Sequence, residues 1–405
     1  MGECKREQRP PRRGAAEQPH SSAASELVPY GRQWVDDDDV AAVARALRGE
    51  WITSGPLVDA FEAQLAAFAE VSHAVAVSSG TAALHCAYFA LGLGPGSELV
   101  TTPLTFVASA SAALLLGADV VFADVEPATG NLDPAAAAAA AGPRTRAVAA
   151  VDFAGHPAPY ERLRDVCNGA GAALVADAAH SLGARRGGRA ATALADAAIT
   201  SFHPVKLVTT AEGGALLTSR ADWAQRARRF RNHGIVREPE QFLAAEAPGP
   251  WHYEIHELGL NYRLPDVLCA LGLSQLAKAE RFLARRRGIA ARYQAELAEI
   301  AALELPQVEA GCEPSWHLYV VRVREAKRRR DFFEALRAHG LGVQLHYPPL
   351  HLQPAFCARG LSPGRYPRAE DFAARALSLP LFPRLTDAAV TRVIETVHAA
   401  ARALL

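Results

Sequence analysis

The chain has 405 residues, 50% of them hydrophobic, and its 43 Lys+Arg balance 43 Asp+Glu to a net charge of zero. That length can bury a large core, most naturally in two domains, and the charge balance leaves no field to draw nucleic acid or an anionic membrane surface. The six cysteines, at 4, 86, 167, 269, 312 and 357, form no Cys-x-x-Cys pair, so neither zinc nor a disulfide framework is expected. No apolar run reaches bilayer length; the longest, 106 to 118, is too short and carries two serines. A cytoplasmic location without membrane or nucleic-acid partners is the expectation.

Residues 1 to 25 are rich in Arg, Pro, Gln and Ser and lack an apolar stretch, which predicts a disordered tail and not a secretory signal. Tyr30 opens the folded part. Four acids, Asp36 to Asp39, precede a helical pattern and are expected to cap it and oppose its dipole. The loop 49 to 56 leads to a helix over 58 to 69. Strands and helices then alternate. Strands are expected at 74–77, 98–102, 119–123, 147–151 and 173–176, with helices at 81–91, 106–116, 134–141 and 159–170 between them. Such alternation predicts a mostly parallel sheet covered on both faces, with ligands bound beyond the strands' carboxyl ends. No Gly-x-Gly-x-x-Gly fingerprint follows a strand, which disfavours a dinucleotide fold.

A further strand is expected over 197–202, ended by His203-Pro204. It is followed by Lys206, a Gly213-Gly214 turn and a strand over 215–218. Beyond 220 the pattern changes. A basic helix covers 221–232, an irregular excursion 235–259, and a broken helix 264–300. Strands at 316–323 and 342–346 alternate with helices at 329–339, 369–377 and 386–404, a smaller α+β unit. The expected division is a tail (1–25), a large domain (26–275) and a small domain (276–405).

A lone loop lysine is usually a surface lysine. Lys206, presented just past a strand end with few charged neighbours, also suits an amine of lowered pKa that attacks a carbonyl to form a Schiff base. The chain has groups to accompany it. Ser78-Ser-Gly-Thr81 follows a strand and opens a helix, where free amides and the helix dipole favour an anion and Gly80 permits close approach. Asp177, at the end of Ala173-Leu-Val-Ala-Asp177, is costly to bury unless a cation meets it. Taken singly, these groups also read as a helix cap, a second cap and, for His180, a satisfied core histidine.

Ser201-Phe-His-Pro-Val-Lys206 followed by Thr209-Thr-Ala-Glu-Gly-Gly214 resembles the cofactor-lysine segment of the DegT/DnrJ-type nucleotide-sugar aminotransferases. The likeness runs from about Tyr30 to the C-terminus. It implies a fold-type-I pyridoxal-phosphate transferase, with a three-layer sheet domain, a smaller C-terminal α+β domain and a homodimer with shared active sites. It implies pyridoxal 5′-phosphate as cofactor, with catalytic Lys206 and Asp177 and no metal. Cofactor contacts would come from Gly80, Thr81, Ala82, Phe106, Asp177, His180, Ser201, Lys206 and, from the neighbouring subunit, Asn261. Segments 230–236, 258–264, 270–276 and 344–347 are similar to one branch of the family. That branch aminates C4 of a UDP-linked 2-acetamido-2,6-dideoxy-4-hexulose with L-glutamate as donor. Substrate contacts would then come from Tyr30, the loop Glu50, Trp51, Ile52 and Thr53, Gly80, Ser201, Asn261, Arg263, and Gln344, Leu345, His346 and Tyr347. Gln344 and His346 are expected to share one face of a strand, towards the site. Ala176 stands where many relatives have an acid.

Overall fold

The computed structural model describes residues 27–244 and 248–404; the tail expected over 1–25 lies outside the described residues. Its centre is a seven-stranded sheet of β1 (His73–Val77), β2 (Glu98–Thr101), β3 (Asp119–Phe122), β4 (Thr145–Val151), β5 (Ala173–Asp177), β6 (Ala197–Ser201) and β7 (Gly214–Thr218). The spatial order is β1-β7-β6-β5-β4-β2-β3, and β7 alone runs antiparallel to its neighbours.

Alternation along the strands divides the core between two faces. Leu174 and Ala176 join Val148, Ala150, Phe61 and Leu65 on one side. Val175 joins Ala147, Ala149, Leu84 and Tyr88 on the other. Both faces are thus dry, which explains why these strands read as continuous apolar runs.

The first helix, Asp37–Arg48, is closed by a reciprocal cap: Asp39 N–H donates to Asp36 Oδ1 and Asp36 N–H to Asp39 Oδ2. Lys278 pairs with both carboxylates. The break expected within 264–300 falls between the helices Asp266–Leu276 and Ala279–Glu296. Beyond them, β8 (Leu303–Glu304), β9 (Tyr319–Val323) and β10 (Ala376–Leu379) form an antiparallel sheet packed with the helices Arg329–Ala338 and Asp387–Leu404. The first two residues of β10 take the end of the expected helix 369–377; the helix stops at Arg375. The strand expected over 342–346 does not form: that segment makes one bridge, Gln344 to Ser378. Among the described residues no helix is long and apolar enough to cross a membrane.

One glycine fixes how three strand ends meet. Gly214 is in register with Val77 on one side and Ser201 on the other. A Cβ there would lie 2.5 Å from the Ser79 carbonyl oxygen and 2.7 Å from the Gly80 nitrogen. Gly214→Ala should therefore push the 79–80 loop away and cost about 1–3 kcal/mol. Urea unfolding should show that loss together with weaker cofactor retention on dialysis; a variant with wild-type values for both would mean the loop yields freely.

Candidate active site

Beyond the carboxyl ends of β1, β2, β4, β5 and β6 lies an open cavity of about 390 Å³. Gly80, Thr81, Phe106, Asp177, His180, Ser201 and Lys206 line it, as expected of a ligand site on this sheet. Tyr30, His346 and Tyr347 close it from the N-terminal segment and the small unit.

Ser79 caps the helix Gly80–Ala90, its Oγ accepting the Ala82 N–H at 3.0 Å. The Ala82 amide is therefore committed within the protein, and Ala82 does not line the cavity, contrary to its expected contact. The amides of the first turn at Gly80 and Thr81 have no intrahelical acceptor. A Cβ on Gly80 would sit 3.0 Å from Ser201 Cβ, so glycine leaves room between that helix start and Ser201 Oγ. Phe106, just ahead of the helix Ala108–Leu115, is 57% exposed and presents its ring at the cavity.

Asp177 is the last residue of β5 and is buried. Its Oδ2 accepts from Ser109 Oγ at 2.6 Å and its Oδ1 from the Ala179 N–H at 3.3 Å. Burial raises its pKa, while these donors and the Lys206 charge oppose the rise. Lys206 is partly open to the cavity, yet the protein around its amine pushes the pKa down to about 8; Asp177 opposes that and Arg286 adds to it. His180 is held neutral by burial and by the Lys206 charge. Its Nε2 lies 3.2 Å from Tyr347 Oη, and its buried Nδ1 has no partner.

Several expected substrate contacts lie elsewhere on this chain. Glu50, Trp51, Ile52 and Thr53 are exposed; Glu50 and Trp51 border another cavity beside Asp266. Asn261 is exposed and bridged to Asn232. Arg263 donates to Asn232 Oδ1 at 2.7 Å and borders a third, arginine-rich cavity with Arg228, Arg229 and Arg231. Without a pleated strand at 342–346, Gln344 and His346 do not share a face. His346 lines the cavity, with Nδ1 2.8 Å from Ser378 Oγ, whereas the exposed Gln344 does not. Leu345 packs against the apolar cluster of Leu104 and Phe153.

Sequence reasoning passed over three groups. Ser109 lies three residues after Phe106, near enough in sequence to have been considered as a donor to the site. His317 packs tilted against His180 with ring centroids 4.3 Å apart, and Arg286 sits behind the lysine loop; no local pattern marks either.

Over residues 33–398 the chain matches the model of the DegT/DnrJ/EryC1/StrS aminotransferase family, and it belongs to that family. It is a sugar aminotransferase of fold type I, acting on a sugar and an amino donor. It is 35% identical to the spore coat polysaccharide biosynthesis protein SpsC of Bacillus subtilis, over 92% of this chain and 96% of that protein. The putative sugar aminotransferase Spr1654 of Streptococcus pneumoniae, in its PMP form, superposes with a TM-score of 0.87 at 28% identity, over 93% of this chain and 100% of that one. Helicobacter pylori PseC, an aminotransferase involved in the biosynthesis of pseudoaminic acid, also gives 0.87 at 28% identity, over 94% and 100% of the two chains.

Pyridoxal phosphate is the cofactor. The cavity fits it: two first-turn amides, of Gly80 and Thr81, without an intrahelical acceptor for a phosphate, a buried carboxylate short of a cation, an unpartnered imidazole nitrogen and a desolvated amine. The rate at which apoprotein captures pyridoxal phosphate should rise with pH and level off above about 8, because the neutral amine is the nucleophile. Stopped-flow absorbance across pH 6 to 11 checks this; a plateau near the ordinary lysine value of 10.5 would contradict it.

Proposed function

We propose that this chain moves the amino group of L-glutamate to C4 of a UDP-linked 2-acetamido-2,6-dideoxy-4-hexulose, giving UDP-4-amino-4,6-dideoxy-N-acetyl-β-L-altrosamine. Transamination as such rests on one observation: Lys206, its amine lowered to about 8, shares a cavity with Asp177, His180 and the Gly80–Thr81 helix start. What supports the sugar is the run of branch-like segments at 230–236, 258–264, 270–276 and 344–347, with the likeness to PseC over 94% of the chain. The alternative is another 4-keto or 3-keto nucleotide sugar.

Bound pyridoxal phosphate supplies an electron-accepting ring that stabilises the charge left when a substrate carbon loses its proton. In the proposed division of labour Lys206 anchors it covalently. With its amine free, Lys206 would hold a proton on Nζ and move it to and from the substrate carbon. Asp177 keeps the pyridine nitrogen protonated by pairing with its charge. The Gly80 and Thr81 amides and Ser201 Oγ would hold the phosphate, the Phe106 ring would cover the cofactor ring, and His180 Nδ1 would be available to its hydroxyl. Asp177→Asn keeps the shape and loses the charge. It should lower turnover by about two orders of magnitude or more, the effect of stripping a buried ion of its partner by about 3–5 kcal/mol. Steady-state assay with circular dichroism checks it; near-normal turnover with an intact fold would refute the role.

In the proposed homodimer, Asn261 and Arg263, which lie outside this chain's own cavity, reach the neighbour's site. Cofactor binding and association are then linked. Sedimentation should show apoprotein dissociating at higher concentration than loaded protein, and a monomer that retains full cofactor affinity would exclude a shared site.

The substrate reading is tested with a panel of 4-keto and 3-keto nucleotide sugars, glutamate as donor and product mass as readout. The L-arabino 4-hexulose should give the highest kcat/KM. A 3-keto sugar or a D-configured 4-keto sugar turning over far better would replace it with the alternative.

A further inference from the structure

Arg286 is the largest fully buried side chain, 1% exposed, on the helix Ala279–Glu296. Among the described residues no carboxylate pairs with it. Its guanidinium instead meets four backbone carbonyls: Nη1 donates to Trp316 O at 3.2 Å, His317 O at 3.2 Å and Leu381 O at 3.1 Å, and Nη2 to Val205 O at 3.2 Å. Nε has no partner. Burying an unneutralised cation is expensive, and a methionine of similar reach would fill the space without that cost. The four acceptors explain what the charge does there. They come from three separate segments: the residue before Lys206, the entry to β9 that carries His317, and the stretch after β10. Trp316 adopts φ of 54°, a left-handed conformation that a bulky side chain rarely takes, and the carbonyls of Trp316 and His317 both converge on Nη1.

We propose that Arg286 is a positioning residue for Lys206, clamping the lysine-bearing loop to the small-unit segments that wall the cavity. The inference rests on the role proposed above for Lys206. Lys206 stands among several other groups. Asp177 and His180 face it from β5 and the turn that follows, and His203 and Glu212 come from its own loop. His317, His346, Tyr347 and Tyr30 face it from the opposite wall. Burial holds the three imidazoles His180, His317 and His346 neutral, so Arg286 and Asp177 are the charges of opposite sign that act on the amine.

The experiment uses Arg286→Lys, which keeps the charge and loses the fork, and Arg286→Met, which loses both. Arg287→Met is the control: this neighbour on the same helix donates to the Pro314 and Gly183 carbonyls and not to the lysine loop. Three quantities are read: thermal midpoint, kcat per bound cofactor with KM for glutamate, and the titration of Lys206 in apoprotein by trace acetylation and peptide mapping. In Arg286→Lys, kcat should fall by about tenfold or more with KM nearly unchanged, since a displaced amine loses alignment and not substrate affinity. Its Lys206 titration should stay in place. In Arg286→Met the same loss should come with an upward shift of that titration by about one unit, as a neighbouring positive charge is removed. Arg287→Met should change neither. A lowered thermal midpoint with wild-type kcat and titration would make Arg286 a structural residue only and overturn the proposal. If Arg286→Met does not fold, Arg286→Lys decides: kcat within about twofold of wild type overturns it. Borohydride reduction of the loaded wild type separates the two readings. Label on a lysine other than Lys206 removes the role of Lys206 and this inference with it.

Discussion

A lysine amine can serve as nucleophile and proton carrier only if it spends much of its time neutral, and water opposes that. The site meets the requirement by crowding Lys206 with protein while setting Asp177 on one side and Arg286 on the other. Desolvation lowers the amine, Asp177 restores part of the drop, and Arg286 takes it down again. The carboxylate feels the converse: burial favours its neutral form, and Ser109, the Ala179 amide and Lys206 keep the charged form accessible. Neither group could be tuned alone. Each offsets part of the other's burial cost in a cavity where uncompensated charge would be costly.

That pairing depends on where the strands end. Asp177 terminates β5, and the adjacent β6 runs out through Ser201 to the loop of Lys206, so the parallel register Asp177–Ile199 brings acid and amine to one edge. The antiparallel β7, between β6 and β1, would hold the phosphate end apart were its first residue larger. Gly214 and Gly80 remove the side chains that would stand between Ser79, Gly80 and Ser201. Chemistry at one end of the sheet is thus bought by two missing methyl groups and a single reversed strand.

Much of this was legible in the sequence because it is local. Strand runs, the His203-Pro204 break and the Ser79-Gly80-Thr81 helix start are read from neighbours in the chain, and Lys206, Asp177, His180, Ser201 and Phe106 come to one cavity. What escaped is contact between distant segments. Arg286 is 80 residues from Lys206 in sequence, and nothing beside it distinguishes it from the half-buried Arg285 and Arg287 of the same run. His317 becomes a wall of the site only when the small unit folds against the large one. The segment 344–347 misled because alternation was assumed to mean a strand; Gly342 instead packs against Pro29 and Tyr30, and only one bridge forms. The expected contacts at 50–53 and 261 came from likeness, and that at 263 from the fit of a guanidinium fork to a diphosphate; a single chain does not bring them to its own cavity.

The distribution of cations carries the argument one step further. Among the described residues lining this cavity, Lys206 is the one Lys or Arg, and the imidazoles of His180, His317 and His346 are kept neutral, His346 down to about 4. A nucleotide sugar has a diphosphate that needs positive charge or dense hydrogen bonding. Cations in the cavity would meet that need, but they would also depress Lys206 further and compete with it for Asp177. The chain keeps its arginines apart: Arg228, Arg229, Arg231 and Arg263 gather around a separate cavity of about 380 Å³. Glu62 already holds Arg228 and Arg231, while among the described residues Arg229 and Arg263 bind neutral amide oxygens, of Gln241 and Asn232. The forks of Arg229 and Arg263 are therefore the ones whose charge is left for an anion. In the proposed homodimer, a site assembled from this chain's neutral chamber and a second copy's arginines would satisfy both demands without placing them in the same dielectric.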